Sequence, residues 1–119
     1  MKIGSKILII FIFILALLPA IKAQEKNNHI VTDTLGVSGV CNMCKERIEN
    51  AATIKGVKKV EWTAESQQLI VVYRDDKVTI EEIAQSIAEA GHDNELIIST
   101  DAQYEKVHDC CKYREIDPH

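Results

Sequence analysis

The chain has 119 residues, a formal net charge of −4 at pH 7, and 27% charged against 46% hydrophobic residues. That length suits one domain. An acidic balance excludes the basic surface that nucleic-acid phosphates need and gives no electrostatic hold on anionic lipid.

Lys2 and Lys6 precede an unbroken apolar run from Ile7 to Leu18, followed by Pro19 and the exit Ala20-Ile21-Lys22-Ala23. A basic head, a short apolar stretch and a small-residue exit predict a secretory signal peptide over residues 1–23. The run is shorter than the roughly 20 apolar residues of a membrane span. Cleavage after Ala23 is expected, with a retained N-terminal anchor as the alternative. It would remove three lysines and leave the mature chain more acidic. Residues 24–30 read as a polar leader, residues 31–100 as the folded domain and residues 101–119 as a charged tail.

Ile30 to Val37 is the first predicted strand, ending near Gly39. A short loop over Cys41 to Cys44 leads into a helix over about 44–54, with Ile48, Ala51 and Ala52 on one face and Gly56 as its stop. Val57 to Ala64 is a second strand, with Val60 and Trp62 on one face. The β-branched stretch from Gln68 to Arg74 is a third. Thr79 and Glu82 form a capping box and Val78 with Ile83 a hydrophobic staple. They open a helix carrying Ile80, Ile83, Ala84, Ile87 and Ala88 at helical spacing, which Gly91 ends. Glu95 to Ser99 is a predicted fourth strand. The order strand, helix, strand, strand, helix, strand predicts an α+β, ferredoxin-like βαββαβ sandwich. It has a four-stranded antiparallel sheet with two helices on one face. Trp62 and Tyr73 are expected core or sheet-face residues. Glu81, Glu82 and Glu89 are expected on a solvated helix face.

All four cysteines fall in the expected mature chain: Cys41, Cys44, Cys110 and Cys111. One pair is separated by two residues and the other is adjacent, so neither closes a loop long enough to stabilise a fold by much. Thiols so close together suit metal binding or redox chemistry. Cys44 is expected near a helix N-terminus, where free N–H groups and the helix dipole favour a thiolate. Two thiolates select soft ions and satisfy copper(I) or mercury(II), but they leave the four-ligand shell of structural zinc incomplete. Both cysteines are expected outside the core.

The stretch from Val37 to Cys44, with Ile48, Ala51, Gly56-Val57 and Ala90-Gly91, resembles the heavy-metal-associated domain. That family contains copper chaperones, modules of copper-pumping ATPases and the periplasmic mercuric-ion-binding protein. The resemblance spans about residues 31–100. It implies an exposed loop that passes its ion to a partner by ligand exchange. The family loop usually reads Gly-Met-Thr-Cys-x-x-Cys. Here only Val40 separates Gly39 from Cys41, Met43 lies inside the motif, and His92 stands where bacterial members often carry Tyr or Phe.

The resulting expectation is a monomeric carrier of the bacterial periplasm, not an enzyme. It would hold copper(I) or mercury(II) on Cys41 and Cys44 and deliver it to a membrane transporter or P-type ATPase. A thiol-disulfide redox protein is the main alternative, weakened because the mature chain has only Pro118 and no proline to face the two cysteines. A metal-sensing accessory module is a third. Met43 is expected to pack under the loop, with a role as thioether ligand as the alternative. His92 reads equally as a third ligand or tuning group and as a surface histidine at the helix end. In the tail, His108, Cys110 and Cys111 supply further soft ligands, either as a second site or as an arm folding back over the first, the alternative being a disordered tail with two free or mutually oxidised thiols.

Overall fold

The computed structural model describes residues 28–118. The expected signal segment lies outside the described residues. Three strands, β1 (Ile30–Gly36), β2 (Val57–Thr63) and β3 (Gln68–Arg74), form an antiparallel sheet in the order β1-β3-β2. Leu35, Leu69 and Trp62 align across the three strands, and all three are buried. Period-two alternation along β3 turns Leu69, Val71 and Tyr73 inward. Helix α1 (Asn42–Ala52) and helix α2 (Ile80–Glu89) share one core with them through Ile48, Ala52, Ile83, Ala84 and Ile87. The expected capping box is present: the Glu82 amide donates to Thr79 Oγ1 at 3.2 Å, and the Thr79 amide donates to Glu82 Oε2 at 2.9 Å. Among the described residues no helix is long and apolar enough to cross a membrane.

The expected fourth strand is not seen. Residues 95–99 make no ladder: beside β1 there is only an isolated bridge between Asn94 and Val37, just past the strand, and the Glu95 amide donating to the Gly36 carbonyl at 3.0 Å. Neighbouring side chains take the amides that a ladder would use. Asn94 Oδ1 accepts from the amides of Leu96 and Ile97 at 3.2 and 3.0 Å, and Asp93 Oδ1 accepts from the amide of Ser99 at 2.8 Å. Asn and Asp offer the backbone this local alternative to a sheet.

The tail is built rather than loose. A short helix α3 (Asp101–Tyr104) has its own capping box between Thr100 and Gln103, and a 3-10 turn covers Asp109–Cys111. Tyr104, Val107 and Cys111 are buried and join the main core.

Candidate metal centre

Trp62 fixes the approach to the loop. Its indole N–H donates to the Val37 carbonyl at 2.9 Å. Its six-membered ring lies so close to Gly39 that a Cβ there would sit 2.9 Å from the ring and 3.0 Å from the Cys44 Cβ. Glycine is therefore needed on steric grounds. Glu49 and Lys45 on α1 tie the helix to β2: Glu49 accepts from the Trp62 amide at 3.0 Å, and Lys45 donates to the Trp62 carbonyl at 2.7 Å.

Helix α1 begins earlier than expected, with Cys41 in extended conformation as its N-cap. Cys44 is then in the first turn and points inward with Ile48 and Ala52, one and two turns further on. It is fully buried, which overturns the expectation that both cysteines lie outside the core. Cys41 is only partly exposed, so the loop is less open than the resemblance implied.

The tail supplies the cover. The sulfurs of Cys41, Cys44 and Cys111 all lie within 4.8 Å of one another. Cys41 Sγ lies 3.9 Å from the Cys110 carbonyl oxygen and Cys44 Sγ 4.0 Å from that of Cys111. Burial pushes the Cys41 thiol upward. The amides of Cys44 and Met43 and the thiols of Cys111 and Cys44 outweigh it, so its pKa lies below the ordinary thiol value. Burial drives Cys111 far the other way, reinforced by the thiol of Cys44 and the charge of Cys44, Cys41 and Cys110. The two shifts run in opposite directions, so Cys41 is the easier of the two to ionise.

The other candidates stand outside this cluster. Cys110 is exposed, with its sulfur 3.2 Å from Met43 Sδ. Met43 itself is exposed rather than packed beneath the loop. His108 is exposed beside Met43 and Glu46, on the rim of a groove along α1. His92 is not a surface residue: it is fully buried, with Nδ1 2.8 Å from the Ser38 carbonyl and Nε2 without a partner. Burial is the main cause that lowers its pKa to about 4, with Arg47 adding to it and the Ser38 carbonyl and Asp93 opposing. A second group, His29 with Asp75 and Asp76, is hard in character, and Asp76 is already engaged by Arg74 at 2.8 Å.

Tyr113 and Arg114 were not singled out from the sequence, yet they hold the tail in place. Tyr113 stacks on the His92 ring with centroids 5.4 Å apart; its hydroxyl donates to the Gly91 carbonyl at 2.5 Å and accepts from the Asp93 amide at 2.8 Å. The Arg114 guanidinium forks onto Asp93 at 2.8 and 3.0 Å, reaches the Ser99 carbonyl at 2.8 Å and lies 4.3 Å from the Tyr104 ring centroid. The buried histidine after the glycine thus has a tail tyrosine laid against its ring.

A family model described as the heavy-metal-associated domain matches residues 34–93. The mercuric transport protein periplasmic component of Pseudomonas aeruginosa is 33% identical over 63 residues, covering 51% of this chain and 69% of that protein. The copper chaperone CopZ of Staphylococcus saprophyticus is 33% identical over 66 residues, covering 54% of this chain and 97% of its own. A solved CopZ metallochaperone structure superposes with a TM-score of 0.52 at 32% identity, covering 54% of this chain and 98% of that one. The family match ends before α3 and the 3-10 turn that carry the tail cysteines.

Proposed function

Because the chain belongs to the heavy-metal-associated domain family, we propose that it is a carrier of a soft metal ion, copper(I) or mercury(II), held as cargo on the thiolates of Cys41 and Cys44. The observation that carries this reading is the convergence of two sulfurs at the start of α1, inside the segment the family model covers. A thiolate at that place is favoured by the unpaired amides of the first helical turn. The ion is then passed on as an incoming partner thiolate replaces one of its own, so that no step requires an enzyme. A membrane transporter or P-type ATPase is the partner class. Relatives named as a mercuric transport component and as copper chaperones support both ions.

The periplasm is the proposed compartment, after removal of residues 1–23, and the monomer is the proposed state. N-terminal sequencing of protein from the periplasmic fraction is expected to begin near Gln24. An intact N-terminus on membrane-bound protein would replace the signal peptide with an anchor.

The test of the carrier itself is binding under anaerobic conditions against a competing copper(I) chelator. Cys41→Ser and Cys44→Ser are each expected to abolish tight binding, since one remaining loop thiolate does not hold the ion against the competitor. Full affinity in the double variant would overturn the assignment. Reduction of insulin at a thioredoxin-like rate, lost in Cys41→Ser, would favour the redox alternative.

A further inference from the structure

We infer that Cys111 is a third thiolate ligand of the cargo ion, and that the tail is a latch which must lift before the ion is handed on. This deepens the carrier reading and rests on it.

Three observations carry the inference. The first is the cluster itself: Cys111 Sγ lies within 4.8 Å of both loop sulfurs although 67 residues separate Cys111 from Cys44. With metal–sulfur bonds of about 2.3 Å, a trigonal three-thiolate site needs sulfurs about 4 Å apart. The arrangement is therefore nearly formed before any ion arrives. The second is that Cys111 is fully buried and inward, while its neighbour Cys110 faces out. Adjacent cysteines do not readily bind one ion together, and the 3-10 turn has selected one of them. The third is the anchoring. Tyr113 and Arg114, one residue past the turn, bind Gly91 and Asp93, which flank His92. Gly91 also makes room for the earlier part of the tail, since a Cβ there would meet the Gln103 carbonyl oxygen at 2.5 Å and Val107 at 2.8 Å.

The chemical consequence is a change of preference. Two thiolates suit ions content with linear coordination, whereas a third favours soft ions that accept three sulfurs. Each thiol releases its proton as it binds. The third ligand comes from a segment that can undock, so it raises retention by proximity without altering the loop. Transfer then requires Cys111 to leave first, restoring a two-coordinate ion that a partner thiolate can attack.

The experiment uses reduced, full-length protein loaded anaerobically with one equivalent of copper(I). X-ray absorption at the copper edge is expected to give three sulfur neighbours for the parent and two for Cys111→Ser. Copper(I) affinity is expected to fall about a hundredfold in Cys111→Ser, with faster release to a chelator. Cys110→Ser is expected to keep three sulfurs. Should Cys111→Ser fold poorly by circular dichroism, the pair Tyr113→Phe with Arg114→Ala loosens the anchoring of the tail with every thiol present and is expected to speed copper(I) release to the chelator; an unchanged release rate would overturn the latch. Two sulfurs in the parent, with affinity unchanged in Cys111→Ser, would overturn the latch and leave the carrier standing. Tight binding that survives loss of both Cys41 and Cys44 would instead remove the carrier reading beneath it.

Discussion

The two cysteine pairs reach similar ends by different routes. Each has one buried sulfur, Cys44 or Cys111, and one closer to solvent, Cys41 or Cys110. Cys44 is buried by helical periodicity, in step with Ile48 and Ala52. Cys111 is buried by a three-residue turn clamped from outside by Tyr113 and Arg114. Regular structure commits a side chain through many small, local choices. An irregular segment commits it through a few anchors, and can be released by removing them. The first pair is therefore a property of the domain and the second a property of its attachment. The copper chaperone aligned over 66 residues is covered to 97% of its length, which leaves almost nothing of that relative to match the tail. A chain ending at residue 100 is expected to remain folded.

The largest effect is expected on the domain side of this contrast. Trp62→Ala removes a fully buried indole that also packs against Gly39. It is expected to cost about 3–5 kcal/mol in urea unfolding. A loss below about 1 kcal/mol would show that the loop is supported from elsewhere.

The next is a pH effect at the seam between the two regions. The folded pKa of His92, about 4, lies below the ordinary value of 6.5. Between those values the unfolded chain takes up a proton that the folded chain refuses. Stability is therefore fully kept above pH 6.5 and falls as the pH drops toward 4, by up to about 3 kcal/mol. Tyr113 covers this ring, so a chain ending at residue 100 is expected to lose much of that dependence. An equal slope in both chains, measured by unfolding across this window, would mean that the tail does not bury His92.

Gly91→Ala tests the attachment directly. The residue has φ of +100°, and the added Cβ would press on the Gln103 carbonyl. The full chain is expected to lose about 2 kcal/mol, and a chain ending at residue 100 only the part due to backbone strain. Equal losses in the two chains would remove the tail from the account. The smallest effect is that of Tyr113→Phe, which deletes one hydroxyl with two partners. About 1 kcal/mol is expected, read as faster hydrogen exchange at the Asp93 amide with α1 and β3 unchanged.

The same contrast governs what could be read from the sequence. β3 and the start of α2 were legible because strand alternation and a capping box are local signals, and both are present as expected. Cys44 could have been placed in the core by extending the Ile48 and Ala52 stripe back one turn, but its reading as a ligand hid that period. The fourth strand was misread because β-branched Ile97 and Ile98 suggest a ladder, while the side chains of Asp93 and Asn94 take the amides it would need. In the tail, the capping box of Thr100 and Gln103 is a local signal that the sequence reading did not pick out. The anchoring of Tyr113 was not legible, since nothing local in the sequence pairs it with residues 91–93.

The indole that holds the loop is also the chain's one tryptophan. Its emission therefore arises from a single place, against Gly39 and beside Cys44. A heavy ion arriving at those sulfurs would quench that emission, and lifting of the tail would shift it only so far as the loop itself moves. Loading and unlatching thus carry separate optical signatures in the native protein, with no label attached.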